Sequence, residues 1–345
     1  FRGVTSLRFN WYPLIVNALI EAPHKNYNRF PRHSLKKLTL STNQKATIGL
    51  SSSTFKSETS SNNTTVTATW DYPIHGVGVS LSNRYKTLSK NTSNNKTTLK
   101  VLYLEKTPAE QAQKILDNAT TAYEYYTNTY GELPYTTIII SNAPIPGIFG
   151  TAINGHIFLG NSLFSPNTTF EQTHLNRIHN YIIAHEIAHL WSGFDMNFSH
   201  NNALSEGLTE YLNYNFLDTI YGPDALLLDK KNEDLFLMDP LYNMTIVNRL
   251  KNYRYHAIKK YQQSLKYNWD EPLSYPFEKS NTSAKQTKDY QKSSLFFSSL
   301  ETYIGTKNMT AALKKYTHYN NPDRSYQSLK KFISLSSTKN IAPFF

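Results

Sequence analysis

Ile182-Ile183-Ala184-His185-Glu186-Ile187-Ala188-His189-Leu190-Trp191 is the stretch whose reading decides the fold. On an α-helix, residues four apart lie one turn apart on the same face, so His185 and His189 can aim two imidazoles at one point. Glu186 sits one residue on, rotated about the axis. From there it can reach a water at that point but is poorly placed as a ligand. Two imidazoles and one further carboxylate leave a fourth tetrahedral position open, the arrangement of a catalytic zinc. H-E-x-x-H on a helix is the short motif that carries it.

Five residues are not enough by themselves in a chain with 11 His, since a buried helix can hold two histidines that only pack. Context decides. Leu175, Ile178 and Ile182 continue the stripe of His185 and His189, so a helix is predicted from about Phe170 to Trp191, ended by Gly193. A loop, Phe194 to Asn202, leads to a second helix predicted from about Ala203 to Ile220. Glu206 and Glu210 lie four apart on it, and either could complete the ligand set. The competing reading makes both ordinary surface charges.

The chain has 345 residues with 39% hydrophobic and 14% aromatic content, enough for a large core in one or two domains. It has no cysteine, so a metal must be held by His and carboxylates. Absence of stray thiols tips the expected location toward extracytoplasmic, in the cell envelope or secreted, without excluding the cytoplasm. Net charge is +11, but the cations are scattered and do not form a run with interleaved aromatics. That reads as a basic solvated surface and not as a nucleic-acid groove. The longest apolar run, Leu14 to Ile20, is far too short to span a bilayer.

Residues 1–106 read as a β-rich domain. Lys37 to Leu40, Thr65 to Trp70, Gly76 to Leu81 and Thr98 to Leu104 alternate or carry β-branched residues. The polar clusters Ser51 to Ser53, Thr59 to Thr64 and Ser89 to Asn95 separate them as turns. The texture changes at Thr107-Pro108-Ala109-Glu110, a capping box with proline at the first helical position. Ala112, Ile115, Leu116, Ala119, Tyr123, Tyr126 and Tyr130 then follow helical spacing up to Gly131. Tyr135 to Ser141 is predicted as a buried strand, and Ile153 to Leu159 as a strand at the edge of a cleft. Beyond Tyr221 the pattern is helical: Ala225 to Leu237, Ile246 to Tyr267, Tyr290 to Ile304, Met309 to Tyr316 and Ser325 to Leu335.

From about Pro108 to Gly305, and more faintly before it, the chain resembles the aminopeptidase N-like family of gluzincin zinc metallopeptidases, in a divergent and truncated form. His185-Glu186-x-x-His189-x-Trp191-x-Gly193 is similar to the family's metal helix. Ser205-Glu206-Gly207 resembles the Asn-Glu-Gly segment that supplies the third ligand, which favours Glu206 over Glu210. The gap from His189 to Glu206 is two residues shorter than is usual, as a deletion in the loop after Phe194 would produce. Tyr290-Gln291-Lys292-Ser293 resembles the Tyr-x-Lys-Gly helix start that carries a catalytic tyrosine. Gly150-Thr151-Ala152-Ile153-Asn154 stands where the family has Gly-x-Met-Glu-Asn, with Ile153 in place of the glutamate that grips a substrate's free amine.

The resemblance implies an α+β fold: a thermolysin-like zinc peptidase catalytic domain, residues 107–345 with a helical C-terminal part, preceded by a partial antiparallel β domain, residues 1–106. It implies one zinc ion per chain on His185, His189 and Glu206, with Glu186 and Tyr290 catalytic. Gly150, Ala152, Ile153, Asn154 and Glu210 are the candidate substrate-binding residues. The backbone from Ile153 to Ile157 is expected to pair with extended substrate as an added strand. The substrate is a peptide or protein, and nucleic acid is not expected as a partner. An isoleucine cannot pair with an ammonium ion, so the expected activity is hydrolysis through an activated water, as an endopeptidase or with relaxed N-terminal preference. The alternatives are an aminopeptidase whose amine anchor is another acid, such as Glu210, and a surface protein that binds peptides without cutting them. The β domain is shorter than the family's and the large helical C-terminal domain is mostly missing, so a more open cleft is expected.

Overall fold

The computed structural model describes residues 5–7, 35–72, 74, 77–145, 149–165, 172–193, 202–222, 253–274, 282–318, 321 and 325–345. The expectations for Leu14 to Ile20, for a helix at Ala225 to Leu237 and for the start of one at Ile246 lie outside these residues. So does the loop at 194–201. None of the described helices is long and apolar enough to cross a membrane. Contacts divide the chain into two compact units. The first takes residues 1–128, 132–167 and 182–195; the second takes 129–131, 168–181 and 196–345.

The first unit is built on three sheets. Strands β1 (Thr5–Leu7), β6 (Val79–Ser82) and β3 (Thr47–Leu50) form one, in the order β1-β6-β3. Strands β2 (Lys37–Thr42), β5 (Thr64–Thr69) and β4 (Thr54–Thr59) form a second, with β5 in the centre. In β5 the period of two is visible, since Thr64, Val66 and Ala68 are buried while the threonines between them are half-exposed.

The third sheet positions the site. It runs β10 (Gly150–Ile153), β11 (His156–Gly160), β9 (Thr137–Ala143), β8 (Thr98–Leu104), β7 (Tyr85–Asn91). The three inner strands are mutually parallel, and β7 and β10 run antiparallel at the edges. Parallel strands are normally covered on both faces, and here β11 is buried at every residue and Ile138 to Ala143 of β9 likewise. The sheet runs continuously across the expected boundary at residue 106, because β7 and β8 lie before it and β9 to β11 after it.

Two turn assignments change. Ser89, Lys90 and Asn91 were expected in a turn but belong to β7, paired with Lys100, Leu99 and Thr98. An edge strand with one wet face accepts such polar residues, and the turn begins only at Thr92, whose N–H donates to the Thr97 carbonyl at 2.9 Å. The single strand expected from Ile153 to Leu159 is a hairpin. Asn154 (φ 42°) and Gly155 (φ 81°) form its two-residue turn, the backbone hand that Asn-Gly adopts most readily. The open edge is therefore β10, while β11 has both neighbours in place. Added-strand pairing along His156 and Ile157 is excluded by β9 on the far side of β11, and of the expected segment only Ile153 lies on the edge strand.

Helix α1 (Ala109–Tyr130) links the parallel strands β8 and β9. All seven residues of its predicted stripe are buried, none more than 2% exposed. Two short-range anchors complete the unit. The first is His156, wholly buried: its Nδ1–H donates to the Gly78 carbonyl at 3.0 Å, and its Nε2 lies 3.0 Å from both Ser80 Oγ and Ser141 Oγ. Ser80 Oγ donates to Ser141 Oγ at 2.7 Å, so this cluster ties β6 to the central sheet. Burial holds the imidazole neutral, its pKa pushed down to about 3 despite the opposing carbonyl bond. The second is a short helix, α2 (Asn161–Phe164), that buries Leu163 and Phe164.

Helix α3 (Gln172–Ser192) runs through residues of both units. Within the first, Tyr126 of α1 donates its hydroxyl to the Ala184 carbonyl at 3.2 Å, and the rings of Tyr123 and Tyr126 stand 5.4 and 5.5 Å from Trp191. Trp191 is thus a packing residue behind the motif.

The second unit is helical: α4 (Asn202–Tyr221), α5 (Tyr253–Lys266), α6 (Thr282–Gln286), a π-helical turn (Thr287–Lys292), α7 (Ser293–Ile304), α8 (Thr306–Tyr316) and α9 (Tyr326–Ser336). The helix expected to begin at Tyr290 begins earlier, with Tyr290 inside the π turn. Phe297, Leu300, Met309, Leu313, Tyr316, Leu329 and Ile333 are wholly buried and form the core of α7 to α9.

Candidate metal centre

From Ile183 onward α3 is buried almost all round: Ile183, Ala184, Ile187, Ala188, Leu190 and Trp191 are each at most 2% exposed. A helix so enclosed holds its polar residues in place by packing. His185 (9%) and Glu186 (6%) are buried, and His189 is half-buried. The two imidazoles stand with ring centroids 4.8 Å apart at 83° to each other, side by side as the four-residue spacing requires.

One nitrogen from each of these rings and one carboxylate oxygen of Glu206 all lie within 4.8 Å of one another. Ligand atoms around a single tetrahedral zinc stand roughly 3.4 Å apart, given metal–ligand distances near 2.1 Å, so the three are gathered on the scale of one ion. Among the described residues no other three His, Asp or Glu groups come together in this way. Two imidazoles and a carboxylate suit zinc chemically, and in a chain with no cysteine they are the donors available.

The two glutamates left open by their spacing part company. Glu206 joins the histidines. Glu210 is buried, 5% exposed, and both its oxygens accept from the Tyr181 hydroxyl, at 2.7 and 2.8 Å. Tyr181 carried no signal of its own among 25 tyrosines. The spacing could have found it: Tyr181 precedes His185 by one turn, as Glu210 follows Glu206 by one.

Gly150, at the start of β10, lies against Glu186. A β-carbon there would come within 2.6 Å of Glu186 Cγ and 2.9 Å of Cδ and Oε1. The strand edge therefore passes directly over the side chain of the candidate base, and only hydrogen fits between them. Ile153, three residues on, does not face that way. It is 8% exposed and packs with Ala143 and Phe158 in an apolar cluster, with Ile145 against it. Ala152 is half-buried, and Asn154 turns the hairpin.

Tyr290 is half-buried in the π turn, a kind of helical irregularity found often at functional sites. Lys292 holds the turn from one side, its Nζ donating to Asp270 Oδ1 at 2.7 Å and to the Glu271 carbonyl at 2.8 Å. Lys288, almost wholly buried, places its Nζ 3.7 Å from Glu271 Oε2 and 3.8 Å from Asp289 Oδ1. The small residue at Ser293 has a packing reason. A β-carbon on Gly207 would collide with the Ser293 side chain, and Ser293 Oγ donates to the Ala203 carbonyl. The helix carrying Glu206 and the segment carrying Tyr290 thus cross at the closest approach two backbones allow. Nothing local in the sequence marks Asp270 and Glu271 as supports of the turn that carries Tyr290.

The Peptidase family M1 domain matches residues 109–345. No curated protein sequence matches the chain. Among solved structures, the M1 zinc metallopeptidase from Deinococcus radiodurans is similar in fold, with 14% identity, a TM-score of 0.59, and 87% of this chain aligned to 60% of that one. Its mutant bound to a Tyr-Ser-Ala substrate gives 14% identity and a TM-score of 0.53 over the same shares. Legionella pneumophila aminopeptidase A, in complex with aspartic acid, gives 17% identity and a TM-score of 0.61, with 89% of this chain aligned to 33% of that one. The chain thus spans 60% of the length of the two Deinococcus structures and a third of the Legionella one. The β-rich region followed by helices is their architecture as well. With the family domain matching more than half of its residues, the chain belongs to peptidase family M1, a family of zinc metallopeptidases.

Proposed function

We propose that this chain hydrolyses peptide bonds by a zinc-dependent mechanism, without requiring a free amino terminus on its substrate. The observation that carries the reading is the convergence of His185, His189 and Glu206 beside Glu186, under the open edge of β10. His185, His189 and Glu206 would hold the ion. An ion held there would supply a coordinated water of lowered pKa and polarise a carbonyl. Glu186, one residue from His185, takes a proton from the attacking water and returns it to the leaving amine. Tyr290 donates a hydrogen bond to the oxygen on which negative charge develops. The outer edge of β10, Gly150 to Ile153, has no second strand beside it among the described residues and would take an extended substrate, which lays the scissile bond across Glu186.

Relaxed terminal preference follows from two side chains. Ile153 occupies the anchoring position and is committed to an apolar cluster, so it offers an ammonium ion nothing. Glu210, the substitute anchor, is buried with both oxygens bonded to Tyr181. The test uses matched peptides, free or acetylated at the amino terminus, with the zinc-loaded protein. Cleavage of both at comparable rates is expected. Cleavage of the free peptides alone would overturn the relaxed preference and leave the hydrolysis standing. No cleavage of either, with Glu186→Gln indistinguishable from wild type, would favour a protein that binds peptides without cutting them.

A further inference from the structure

We infer that Tyr181 and Glu210 form a positioning pair for the metal ligands: the bond between the Tyr181 hydroxyl and the Glu210 carboxylate, each one helical turn from a ligand, holds His185 and Glu206 in register. This rests on the zinc reading above and adds to it a pair of residues outside the ligand set.

The geometry is a two-point grip. Tyr181 is gripped at its tip by Glu210, through both carboxylate oxygens at 2.7 and 2.8 Å. It is gripped at its backbone by Asn213, whose Nδ2 donates to the Tyr181 carbonyl at 3.1 Å. Glu210 and Asn213 are three apart on α4, on one face of that helix. In an α-helix the carbonyl of Tyr181 is also the acceptor for the N–H of His185. The bond from Asn213 therefore lands on the peptide group that seats the first ligand's own backbone. A third bond, from Asn180 Nδ2 to the Tyr221 hydroxyl at 3.0 Å, extends the same seam toward the end of α4.

The chemistry explains why a tyrosine is wanted. Glu206 and Glu210 are one turn apart, so two carboxylates share one side of α4, which is unfavourable for like charges. Glu210 is almost wholly buried, and a buried carboxylate needs donors. The Tyr181 hydroxyl shares its one hydrogen between the two carboxylate oxygens without bringing in a second positive charge. The hydroxyl comes from the residue one turn before His185, so the same bond fixes the register of α3 against α4 at the level of the ligands. Supporting groups of this kind commonly change metal affinity by about 10- to 100-fold when removed.

The experiment measures zinc affinity by competition with a chromophoric chelator. Alongside it go the visible spectrum of the cobalt(II)-substituted protein and the melting of the metal-free form. Tyr181→Phe is expected to lower zinc affinity about 10- to 100-fold and to shift the cobalt bands, because the ligands on the two helices lose their register. Glu210→Ala should weaken zinc similarly. Glu210→Gln, which keeps an oxygen to accept from Tyr181, should recover most of that loss. The double variant Tyr181→Phe/Glu210→Gln should be no weaker than Tyr181→Phe alone, as expected for two residues that act through one bond. Wild-type affinity and an unshifted cobalt spectrum in Tyr181→Phe would overturn the pairing. A loss of zinc that merely tracks a loss of thermal stability, with the cobalt spectrum of the folded fraction unchanged, overturns it as well. Glu206→Ala serves as the reference. If it still binds zinc like wild type, the ligand assignment itself falls and the pair's role falls with it. If it loses zinc while Tyr181→Phe does not, only the pair's role is lost.

Discussion

Two short segments meet at Glu186: the turn of α3 that carries it, and the edge strand β10 whose Gly150 lies against it. The turn resembles the family's metal helix at His185, Glu186 and His189, and at the packing positions Trp191 and Gly193 behind them. The strand keeps its glycine and loses its acid, with Ile153 turned into the core. The difference separates two jobs. The geometry around an ion tolerates no substitution among its ligands or its base. A strand edge offers substrate mostly backbone groups, which any sequence supplies, and only one side chain of that strand decides whether a free amine is required. On the proposed function, cutting and end-recognition are separate jobs of the two segments, and each can be tested without the other.

The largest effect is expected on the side of the turn. Glu186→Gln keeps the size and the helix but removes the base, and kcat should fall by about three orders of magnitude. Zinc content should stay at wild-type level, since Glu186 is not in the ligand group. Residual activity within a few-fold of wild type would mean that the proton is taken elsewhere.

On the side of the strand, Ile153→Glu asks whether the lost anchor can be put back. The structure says it cannot by that change alone. The side chain at 153 sits among Ala143 and Phe158, and a carboxylate there is buried without donors. A destabilisation of about 3 kcal/mol is expected in denaturant unfolding, with no new preference for free over acetylated peptides. A stable variant that gains such a preference would show that residue 153 can face the substrate, and the contrast between the two segments would narrow to a single residue.

A third test probes the support behind β10 and not its face. His156 pairs with Ile153 across the hairpin and is held neutral by burial. Its pKa of about 3 in the folded chain lies below the ordinary 6.5, so between those values the unfolded chain binds a proton that the folded one does not. Stability from this group is present above pH 6.5 and declines as the pH falls toward 3, by about 2 kcal/mol between pH 7 and pH 5. In His156→Gln that part of the pH dependence should disappear. Urea unfolding at the two pH values measures it, and an unchanged slope would place the proton uptake on other groups.

The same contrast governs what could be read from the sequence. The ligand helix, α1 and the helices after Met309 follow from apolar spacing alone, because a helix face repeats within a few residues. The Asn154-Gly155 hairpin turn was present in the letters but was overridden by the run of apolar residues beside it. Ser89 to Asn91 looked like a turn because an edge strand with one wet face has a loop's composition. Tyr181, Asp270, Glu271 and the cluster of Ser80, Ser141 and His156 act through partners 15 to 78 residues away, and no local pattern announces such pairs. Ile153 was visible as a missing acid, but its inward orientation was not. One strand residue more or less in the turn would have reversed it.

The smallest effect is the most pointed one, because it acts where the two segments touch. Gly150 has no room for a methyl group: its β-carbon would stand 2.6 Å from Glu186 Cγ. What it meets is the far part of a flexible side chain, so the fold can absorb Gly150→Ala by moving Glu186 aside, at a cost to stability of under about 1 kcal/mol. The base then sits about an ångström from where proton transfer needs it, and kcat should fall about tenfold while zinc affinity stays that of wild type. Activity that survives intact would show that Glu186 reaches its water from a second position, free of the strand. A matching loss of zinc would mean instead that the strand supports the ligands as well as the base, and the two segments would no longer be separable.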